Sequence, residues 1–174
     1  MAPGAVSTML SITVRLMREE DLEAVIAIAA GVPTAPHWPP GEFRRMLQVI
    51  AEHPGRRGAW VAVAQGMQVP DVPGVRGFAM ASHVSGAAEL EAVVCAPEHR
   101  RKGVGLALLE RVVAWSRTVG AERLLLEARA SNVDALRLYL RQGFRQDGVR
   151  RGYYCNPDED AVLLSLPLRL PGQE

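Results

Sequence analysis

A turn of glycine and basic residues, HRRKGVG at 99–105, has the residue types best suited to chemistry in this sequence. It lies between an alternating apolar run, ELEAVVCA at 89–96, and an amphipathic run that continues to Val119. A strand that leads through such a turn into a helix N-terminus offers unpaired backbone N–H groups together with positive charge. The turn therefore predicts a binding site for a pyrophosphate group.

The spacing of the two glycines differs from both common nucleotide-binding motifs. A P-loop has four residues between its glycines and a Lys-Ser/Thr pair after them, whereas one residue separates Gly103 from Gly105. The dinucleotide fingerprint requires a third glycine where Leu108 stands. What remains is the pattern Arg/Gln-x-x-Gly-x-Gly/Ala at 100–105, which resembles the acyl-CoA loop of the GNAT superfamily of N-acetyltransferases.

The segments that follow this loop are similar to the GNAT core in order and spacing. A short apolar strand within RLLLEARASN at 123–132 precedes a helix in ALRLYLRQGF at 135–144. Gly143 suits a left-handed C-cap for that helix. Asn132 and Tyr139 stand where the family has an Asn at the helix start and a Tyr further along it.

The tail RRGYYCNPDEDAVLLSLPL at 150–168 is similar to the RimI-type ribosomal-protein-alanine N-acetyltransferases of this superfamily. The segment APHWPPGEF at 35–43 also looks like a short Pro-Trp segment of those enzymes. The resemblance implies an α/β GNAT fold, with a mixed central sheet of about seven strands and helices on both faces. It also implies an enzyme that uses acetyl-CoA as co-substrate and acetylates a protein N-terminus, in RimI-type enzymes the N-terminal alanine of a small-subunit ribosomal protein.

Length and composition fit a single domain over residues 1–174, which the resemblance implies is an acetyltransferase domain, with 1–10 as a flexible N-terminal extension. The chain is 48% hydrophobic and 22% charged, which excludes a largely disordered chain. Its net charge of +1 gives no basic excess for nucleic-acid binding. No apolar run approaches the roughly 20 residues that span a bilayer, and no signal peptide is evident. We expect a cytoplasmic protein, a monomer or homodimer, with no membrane or nucleic-acid partner.

The cysteines and histidines predict neither a disulfide nor a metal site. Cys95 lies in a predicted strand and Cys155 in a predicted loop, so two reduced thiols are expected. The four histidines show no ligand spacing, which argues against a bound metal.

The remaining pattern alternates strands and helices, as in an α/β sheet. A strand near 12–18 and a helix over 20–30 are followed by a second helix over 42–52. Runs at 59–65 and 75–84 predict a hairpin-like pair, joined by a Gly- and Pro-marked loop at 65–74. The helix over 103–119 repeats its apolar residues at helical spacing, and we interpret that stripe as core packing.

In the strand at 89–95, simple alternation places Glu89, Glu91, Val93 and Cys95 on one face. Two carboxylates on an otherwise apolar central strand are unusual. A β-bulge, which is common beside active sites, would change the direction of these side chains.

Acetyl transfer from a thioester to an amine requires a neutral amine, a polarised carbonyl and a proton for the leaving thiolate. A free α-amine has a pKa of about 8 and a lysine about 10.4, so an α-amine is easier to deprotonate near neutral pH. Glu127 is the predicted base, acting directly or through one water. It stands where a strand leaves the sheet, and it matches the glutamate that RimI-type enzymes use.

Two other readings of these carboxylates stay open. Glu127 is alternatively a strand-end carboxylate paired with Arg123 or Arg129. Glu89, eleven residues before Arg100, is the rival base, because it matches the strand glutamate of histone-type GNAT enzymes.

Tyr139 is the predicted acid, because a phenol can donate a proton and is neutral at working pH. It also matches the GNAT pattern. Asn132 is a cofactor contact by the resemblance, a helix N-cap otherwise, or both. Backbone amides of 101–105 are expected to hold the pyrophosphate, and strand groups at 93–95 the pantetheine arm and acetyl oxygen. The predicted cofactor-binding residues are Val93, Val94, Cys95, Arg100, Arg101, Lys102, Gly103, Val104, Gly105, Asn132 and Tyr139.

The acceptor is expected to lie between aromatic and acidic side chains. Paired aromatics can form the wall of a peptide groove, and carboxylates attract a charged N-terminus. The predicted substrate-binding residues are Trp38, Glu89, Glu91, Tyr153 and Tyr154. Acetylation of a small-molecule amine such as an antibiotic or polyamine, acetylation of protein lysine, and a non-catalytic acyl-CoA-binding module are the alternatives.

Overall fold

The structure, a computed structural model, describes residues 12–64 and 74–168. The expected extension at 1–10 and most of the loop at 65–74 lie outside these ranges. Within them the chain forms seven strands and four α-helices, and short 3-10 turns at Glu19–Asp21 and Pro97–His99 precede the first and third helices. In chain order the elements are β1 (Ile12–Leu16), α1 (Leu22–Gly31), α2 (Pro40–Glu52), β2 (Arg57–Ala64), β3 (Val75–Val84), β4 (Ala87–Cys95), α3 (Val104–Thr118), β5 (Arg123–Arg129), α4 (Val133–Arg141), β6 (Arg145–Tyr154) and β7 (Glu159–Pro167).

The strands form one mixed sheet in the order β1-β2-β3-β4-β5-β7-β6. Neighbouring strands are antiparallel except β4 and β5, which are parallel. That parallel ladder is short, because it pairs Ala87–Leu90 with Arg123–Leu126 and ends there. Beyond Leu90 and Leu126 the two strands separate, so the middle of the sheet contains a gap.

Helices cover both faces of the sheet, as the sequence predicts. In β2, Trp60 and Ala62 belong to a core cluster with α3 and α4, whereas Ala59 and Val61 belong to a cluster with α1 and α2. Alternate residues of a strand point to opposite faces, so the two clusters lie on the two sides of the sheet. We call these sides the α3/α4 face and the α1/α2 face.

A β-bulge in β4 changes the face to which its side chains point. Ala81 of β3 pairs with Leu90, and the next residue, Met80, pairs with Ala92, so Glu91 is the extra residue. Leu90 packs on the α3/α4 face, whereas Ala92 packs on the α1/α2 face. The simple alternation expected for residues 89–95 is therefore wrong. Val93 and Cys95 pack on the α3/α4 face, opposite the side to which Glu89 points.

Gly77 in β3 allows the central strands to approach the start of α3. A Cβ atom at this position would lie 2.5 Å from the Val94 carbonyl oxygen and 2.9 Å from Val104 Cγ1. Both distances are shorter than van der Waals contact, so only glycine fits here without a shift of its neighbours. This close approach places the basic turn beside the carboxyl end of β4.

Candidate active site

A cavity of about 1120 Å³ lies where β4 and β5 separate. Side chains from both faces of the sheet line it, including Trp38 and Glu89 on one side and Leu138 and Tyr139 on the other. With one exception, every residue that the sequence predicts for catalysis, cofactor or acceptor lines this cavity. The exception is Lys102, whose ammonium donates a hydrogen bond to the Glu98 carbonyl oxygen at 2.9 Å.

The basic turn enters α3 through a left-handed glycine. Gly103 has φ of +82° and is the residue before the helix, a conformation that other residues adopt at a cost in strain. The Ala107 N–H donates to the Gly103 carbonyl oxygen at 3.0 Å. The N–H groups of the first helical turn have no acceptor within the helix, and Gly103, Val104, Gly105 and Leu106 line the cavity. This end of α3 has the backbone donors and the positive dipole that bind phosphate groups.

Two basic side chains of the turn have partners of their own within the chain. The Arg101 guanidinium lies 3.2 Å from Asp134 in an exposed ion pair, and Lys102 is turned away as described. A Cβ atom at Gly105 would contact Leu138 and the Cys95 sulfur at 3.5 and 3.6 Å. Glycines at 103 and 105 therefore keep the cavity floor free of side chains next to the helix N-terminus.

The start of α4 forms the opposite rim of this part of the cavity. The Asn132 side-chain oxygen accepts a hydrogen bond from the Ala135 N–H at 3.4 Å, which makes Asn132 a helix N-cap. Gly143, with φ of +89°, follows the helix and gives it the left-handed C-terminus that the sequence predicts.

Three carboxylates of the candidate acceptor region lie together with two arginines. Glu91 forms an ion pair with Arg57 of β2 at 2.6 Å, and Glu127 forms one with Arg150 of β6 at 3.0 Å. Glu89 has no ion pair within the described part of the chain. Partial burial, followed by the charges of Glu91 and Glu127, raises the pKa of Glu89. Three carboxylates and two guanidinium groups leave the group with one net negative charge when all are ionised.

The surroundings of Glu127 differ from what its strand position predicts. Its partner is Arg150, and neither Arg123 nor Arg129 forms this ion pair. Arg150 also lies over the Tyr153 ring, 4.6 Å from its centre. A hydrogen bond to Glu127 is the main cause that raises the pKa of Tyr153. At residue 127 the strand β5 leaves β4 but stays paired with β7, so it does not leave the sheet.

Tyr139 lies on the α3/α4 face and is only 7% exposed. Burial, with smaller contributions from Cys95 and Tyr154, raises its pKa to about 12. Its ring packs against Phe144 with ring centres 5.6 Å apart. The phenol is therefore neutral over a wide pH range and can donate a proton into the cavity. Burial likewise raises the pKa of the Cys95 thiol to about 11.

Aromatic side chains line the candidate acceptor side of the cavity. Tyr153 and Tyr154 make an edge-to-face contact with ring centres 5.1 Å apart. They end strand β6, whereas the sequence predicted them in a loop. Trp38 makes a similar contact with Phe43 of α2, at 5.6 Å. The two tyrosines and Trp38 are thus held by different elements around the same opening.

Sequence reasoning missed the two arginines that neutralise the carboxylates. Arg57 is 34 residues from Glu91, and Arg150 is 23 residues from Glu127, so only strand order brings each pair together. Arg150 was visible within the basic-aromatic tail, but nothing local indicates its partner. Arg57 begins a strand whose sequence carried no functional signal.

Comparison with known proteins agrees with this geometry. Residues 17–144 match the sequence profile of the Acetyltransferase (GNAT) family. The chain belongs to the GNAT acetyltransferase family. The expected fold, the expectation of an N-acetyltransferase enzyme and the co-substrate acetyl-CoA are confirmed with that membership. That membership argues against a non-catalytic acyl-CoA-binding module.

Individual relatives point to the same branch of the family. The chain is 38% identical over 95 residues to the ribosomal protein bS18-alanine N-acetyltransferase of Escherichia coli K12, covering 53% of this chain and 64% of that enzyme. A Bacillus subtilis protein provisionally given the same name is 30% identical over 151 residues, or 87% of this chain and 92% of that one. A crystal structure of the Escherichia coli ribosomal-protein-S18-alanine N-acetyltransferase superposes with a TM-score of 0.75 and 28% identity, over 94% and 98% of the two chains. The resemblance to RimI-type enzymes is confirmed.

Three further observations concern the described residues only. None of their helices has the length and apolar character needed to cross a membrane. No group of three or more His, Cys, Asp or Glu side chains among them could hold a metal ion. Cys95 and Cys155 are both free thiols.

Proposed function

We propose that this GNAT enzyme acetylates the N-terminal α-amine of a protein, with a small-subunit ribosomal protein as its acceptor. The observation that carries the proposal is the group of Glu89, Glu91 and Glu127 beside an aromatic wall at one mouth of the cavity. One net negative charge suits a single ammonium group better than a polyamine with several. The aromatic wall suits an extended peptide. The relatives named above have an acceptor of this kind, and we place the reaction in the cytoplasm.

The donor half of the site is formed by backbone groups. Acetyl-CoA supplies an activated thioester and a thiolate leaving group. The amides of 101–105 would hold its pyrophosphate, and Asn132 would contact the cofactor at the other rim. Free N–H and C=O groups of Val93 and Cys95, at the edge of β4 that has lost its partner strand, would bind the pantetheine arm and the acetyl oxygen.

Proton transfer is assigned to two side chains on opposite faces of the sheet. Glu127 would accept a proton from the incoming ammonium, directly or through one water. Tyr139 would give its proton to the departing sulfur. With a pKa of about 12, Tyr139 holds its proton at neutral pH and so has one to give. An α-amine, with a pKa of about 8, needs only a modest base.

Glu89 is the rival base, and one observation favours it. Its pKa is raised, mainly by partial burial, whereas Glu127 is already neutralised by Arg150 at 3.0 Å. A carboxylate with a raised pKa binds a proton more tightly, which suits a base. Substitution of each glutamate distinguishes the two assignments.

We expect Glu127→Gln and Tyr139→Phe each to lower turnover by about 10²–10⁴ while acetyl-CoA affinity stays within a few-fold of wild type. Glu52→Gln, at the exposed last residue of α2, is the matched control and should leave turnover unchanged. If Glu89→Gln lowers turnover by this factor and Glu127→Gln has nearly the wild-type turnover, Glu89 is the base.

The acceptor is tested with paired peptides. A peptide that begins with free Ala should be acetylated, and the same peptide with a blocked N-terminus and an internal lysine should not. Small first residues such as Ala, Ser or Gly should react fastest, because amine and thioester must approach within about 3–3.5 Å. Equal rates on both peptides would indicate a lysine acetyltransferase. Rapid acetylation of spermidine or an aminoglycoside without peptide activity would indicate a small-molecule enzyme.

A further inference from the structure

Two leucines close the inner end of the gap between β4 and β5. Leu90 and Leu126 form the last pair of the parallel ladder. Both belong to the core cluster of the α3/α4 face, and they are only 5% and 3% exposed, yet both line the cavity. Side chains of laterally paired residues lie on the same side of a sheet, so the two leucines form one wall where the strands separate. We call this pair the end wall.

The surroundings of the end wall are apolar. Ala92 and Ala128, two residues further along the two strands, are also buried and line the cavity. Glu127 lies between Leu126 and Ala128 in β5, and strand alternation directs its carboxylate to the opposite face of the sheet. The end wall can therefore contact hydrocarbon, whereas a charged group placed against it would lose hydration without gaining a hydrogen bond from these side chains.

The bulge in β4 brings the end wall close to the strand groups that follow it. Leu90 pairs with Ala81 of β3, and Val93 pairs with Ala79. Three steps along β4 therefore span the length of two steps along β3, which is about 7 Å. Carbon atoms in contact lie about 4 Å apart, so a carbonyl carbon level with Val93 has room for about two further carbon atoms before the end wall.

We propose that Leu90 and Leu126 limit the length of the acyl group that this enzyme transfers. The end wall admits acetyl and propionyl groups and excludes a butyryl group by overlap. It excludes a succinyl group by charge as well, because its side chains have no polar atom to bind a carboxylate. The inference rests on the donor half of the proposed function, which places the pyrophosphate at 101–105 and the acyl end at 93–95, and it does not depend on the acceptor.

The test measures the dissociation constants of acetyl-CoA, propionyl-CoA and butyryl-CoA by calorimetry, with no acceptor present. In the wild type we expect butyryl-CoA to bind at least tenfold more weakly than acetyl-CoA, and propionyl-CoA to bind within a few-fold of it. Leu126→Ala and Leu90→Ala each reduce one side of the end wall to a methyl group. In both variants the difference between butyryl-CoA and acetyl-CoA should fall below about threefold.

Leu124→Ala is the matched control. Leu124 is fully buried on the same face of β5, but it pairs with Ala88, further inside the sheet, and does not line the cavity. Its truncation should destabilise the core in the same way and keep the wild-type difference between the two donors. Leu126→Val is a smaller change in case Leu126→Ala does not fold, and it should give an intermediate difference.

Succinyl-CoA distinguishes a longer apolar pocket from a general loosening of the site. It should bind Leu126→Ala at least tenfold more weakly than butyryl-CoA does. Equal binding of acetyl-CoA and butyryl-CoA to the wild type would overturn the proposal, as would an unchanged difference in the folded end-wall variants. A similar gain of butyryl-CoA binding in Leu124→Ala, or of succinyl-CoA binding in Leu126→Ala, would also reject it.

Acyl transfer separates this inference from the proposed function. With butyryl-CoA as donor, mass spectrometry of an Ala-initiated peptide should detect a butyryl group with Leu126→Ala and none with the wild type. If no donor acylates the peptide although acetyl-CoA binds, the proposed acceptor is wrong, and the calorimetric comparison still decides whether the end wall limits acyl length.

Discussion

Gly103 and Gly120 have the same left-handed backbone conformation at the two ends of α3, with φ of +82° and +78°. Only Gly103 lines the cavity, and a Cβ atom at Gly120 would meet nothing within 4 Å. Valine strains the backbone to a similar extent at either position. Comparison of the two variants therefore distinguishes an effect of backbone strain from a loss of phosphate binding.

We expect Gly103→Val to weaken acetyl-CoA binding at least tenfold, or about 1.4 kcal/mol, because the side chain and the altered turn displace the amides that face the phosphates. Gly120→Val should lose similar stability and bind acetyl-CoA normally. Calorimetric titration of both folded variants measures this. Equal affinities would show that the turn at 99–105 does not hold the cofactor.

Ionisation of Tyr139 makes the free energy of unfolding depend on pH in the alkaline range. Its pKa is about 12 in the folded chain, above its ordinary value of about 10. The unfolded chain therefore releases this proton first as pH rises, and the stabilisation present below about pH 10 is lost toward pH 12. Cys95, with a pKa raised to about 11, should act in the same direction from about pH 9.

Between about pH 9 and pH 11, Tyr139→Phe should lose about 1 kcal/mol less unfolding free energy than the wild type. Urea unfolding at the two pH values gives this difference. Cys95→Ala should also lose less unfolding free energy than the wild type as pH rises, and this difference should begin at a lower pH. Parallel losses in wild type and Tyr139→Phe would mean that the phenol titrates normally and is not buried as described.

At the scale of elements, the contact between β3, β4 and the start of α3 depends on Gly77. An alanine there would place its Cβ 2.5 Å from the Val94 carbonyl oxygen, and backbone atoms cannot yield as a flexible side chain does. We expect Gly77→Ala to lose about 1–3 kcal/mol of stability. Gly41→Ala in α2, where a Cβ meets nothing within 4 Å, should instead be neutral or gain up to about 1 kcal/mol. Thermal unfolding of both variants tests the contrast.

The same elements show what the sequence could predict. The helix expected over 103–119 is found at Val104–Thr118 because its apolar spacing and its terminal glycines are local signals. Strand β6, RQDGVRRGYY, carries no such signal, since nearly all of its residues are exposed and it pairs only with β7 at the sheet edge. The sequence suggests that a β-bulge in β4 would change where its carboxylates point, but the position of the bulge at Glu91 depends on pairing with β3. For the same reason the Arg57 and Arg150 partners could not be predicted.

At the scale of the whole molecule, the cavity has lining residues from both faces of the sheet. In the proposed mechanism, donor and acceptor occupy opposite ends of it and react in one ternary complex. Cys95, with a pKa raised to about 11, is a poor nucleophile at neutral pH. We therefore expect intersecting initial-rate lines when both substrates are varied, and no acetylated enzyme by mass spectrometry. Parallel lines with an acetyl group on Cys95 would indicate a covalent intermediate instead.

The gap between β4 and β5 also bears on edge-to-edge pairing of strands between molecules. Past Leu90 and Leu126, each of these strands has one edge without a neighbouring strand. On the outside of a sheet, such edges can pair with strands of other molecules and lead to aggregation. Here the unpaired edges lie in the middle of the sheet, with a hydrophobic core on each face. A strand of another molecule therefore cannot pair with them as it could at the outer edge of a sheet. The fold thus keeps these free hydrogen-bonding groups inside the cavity instead of on the outer edge of the sheet.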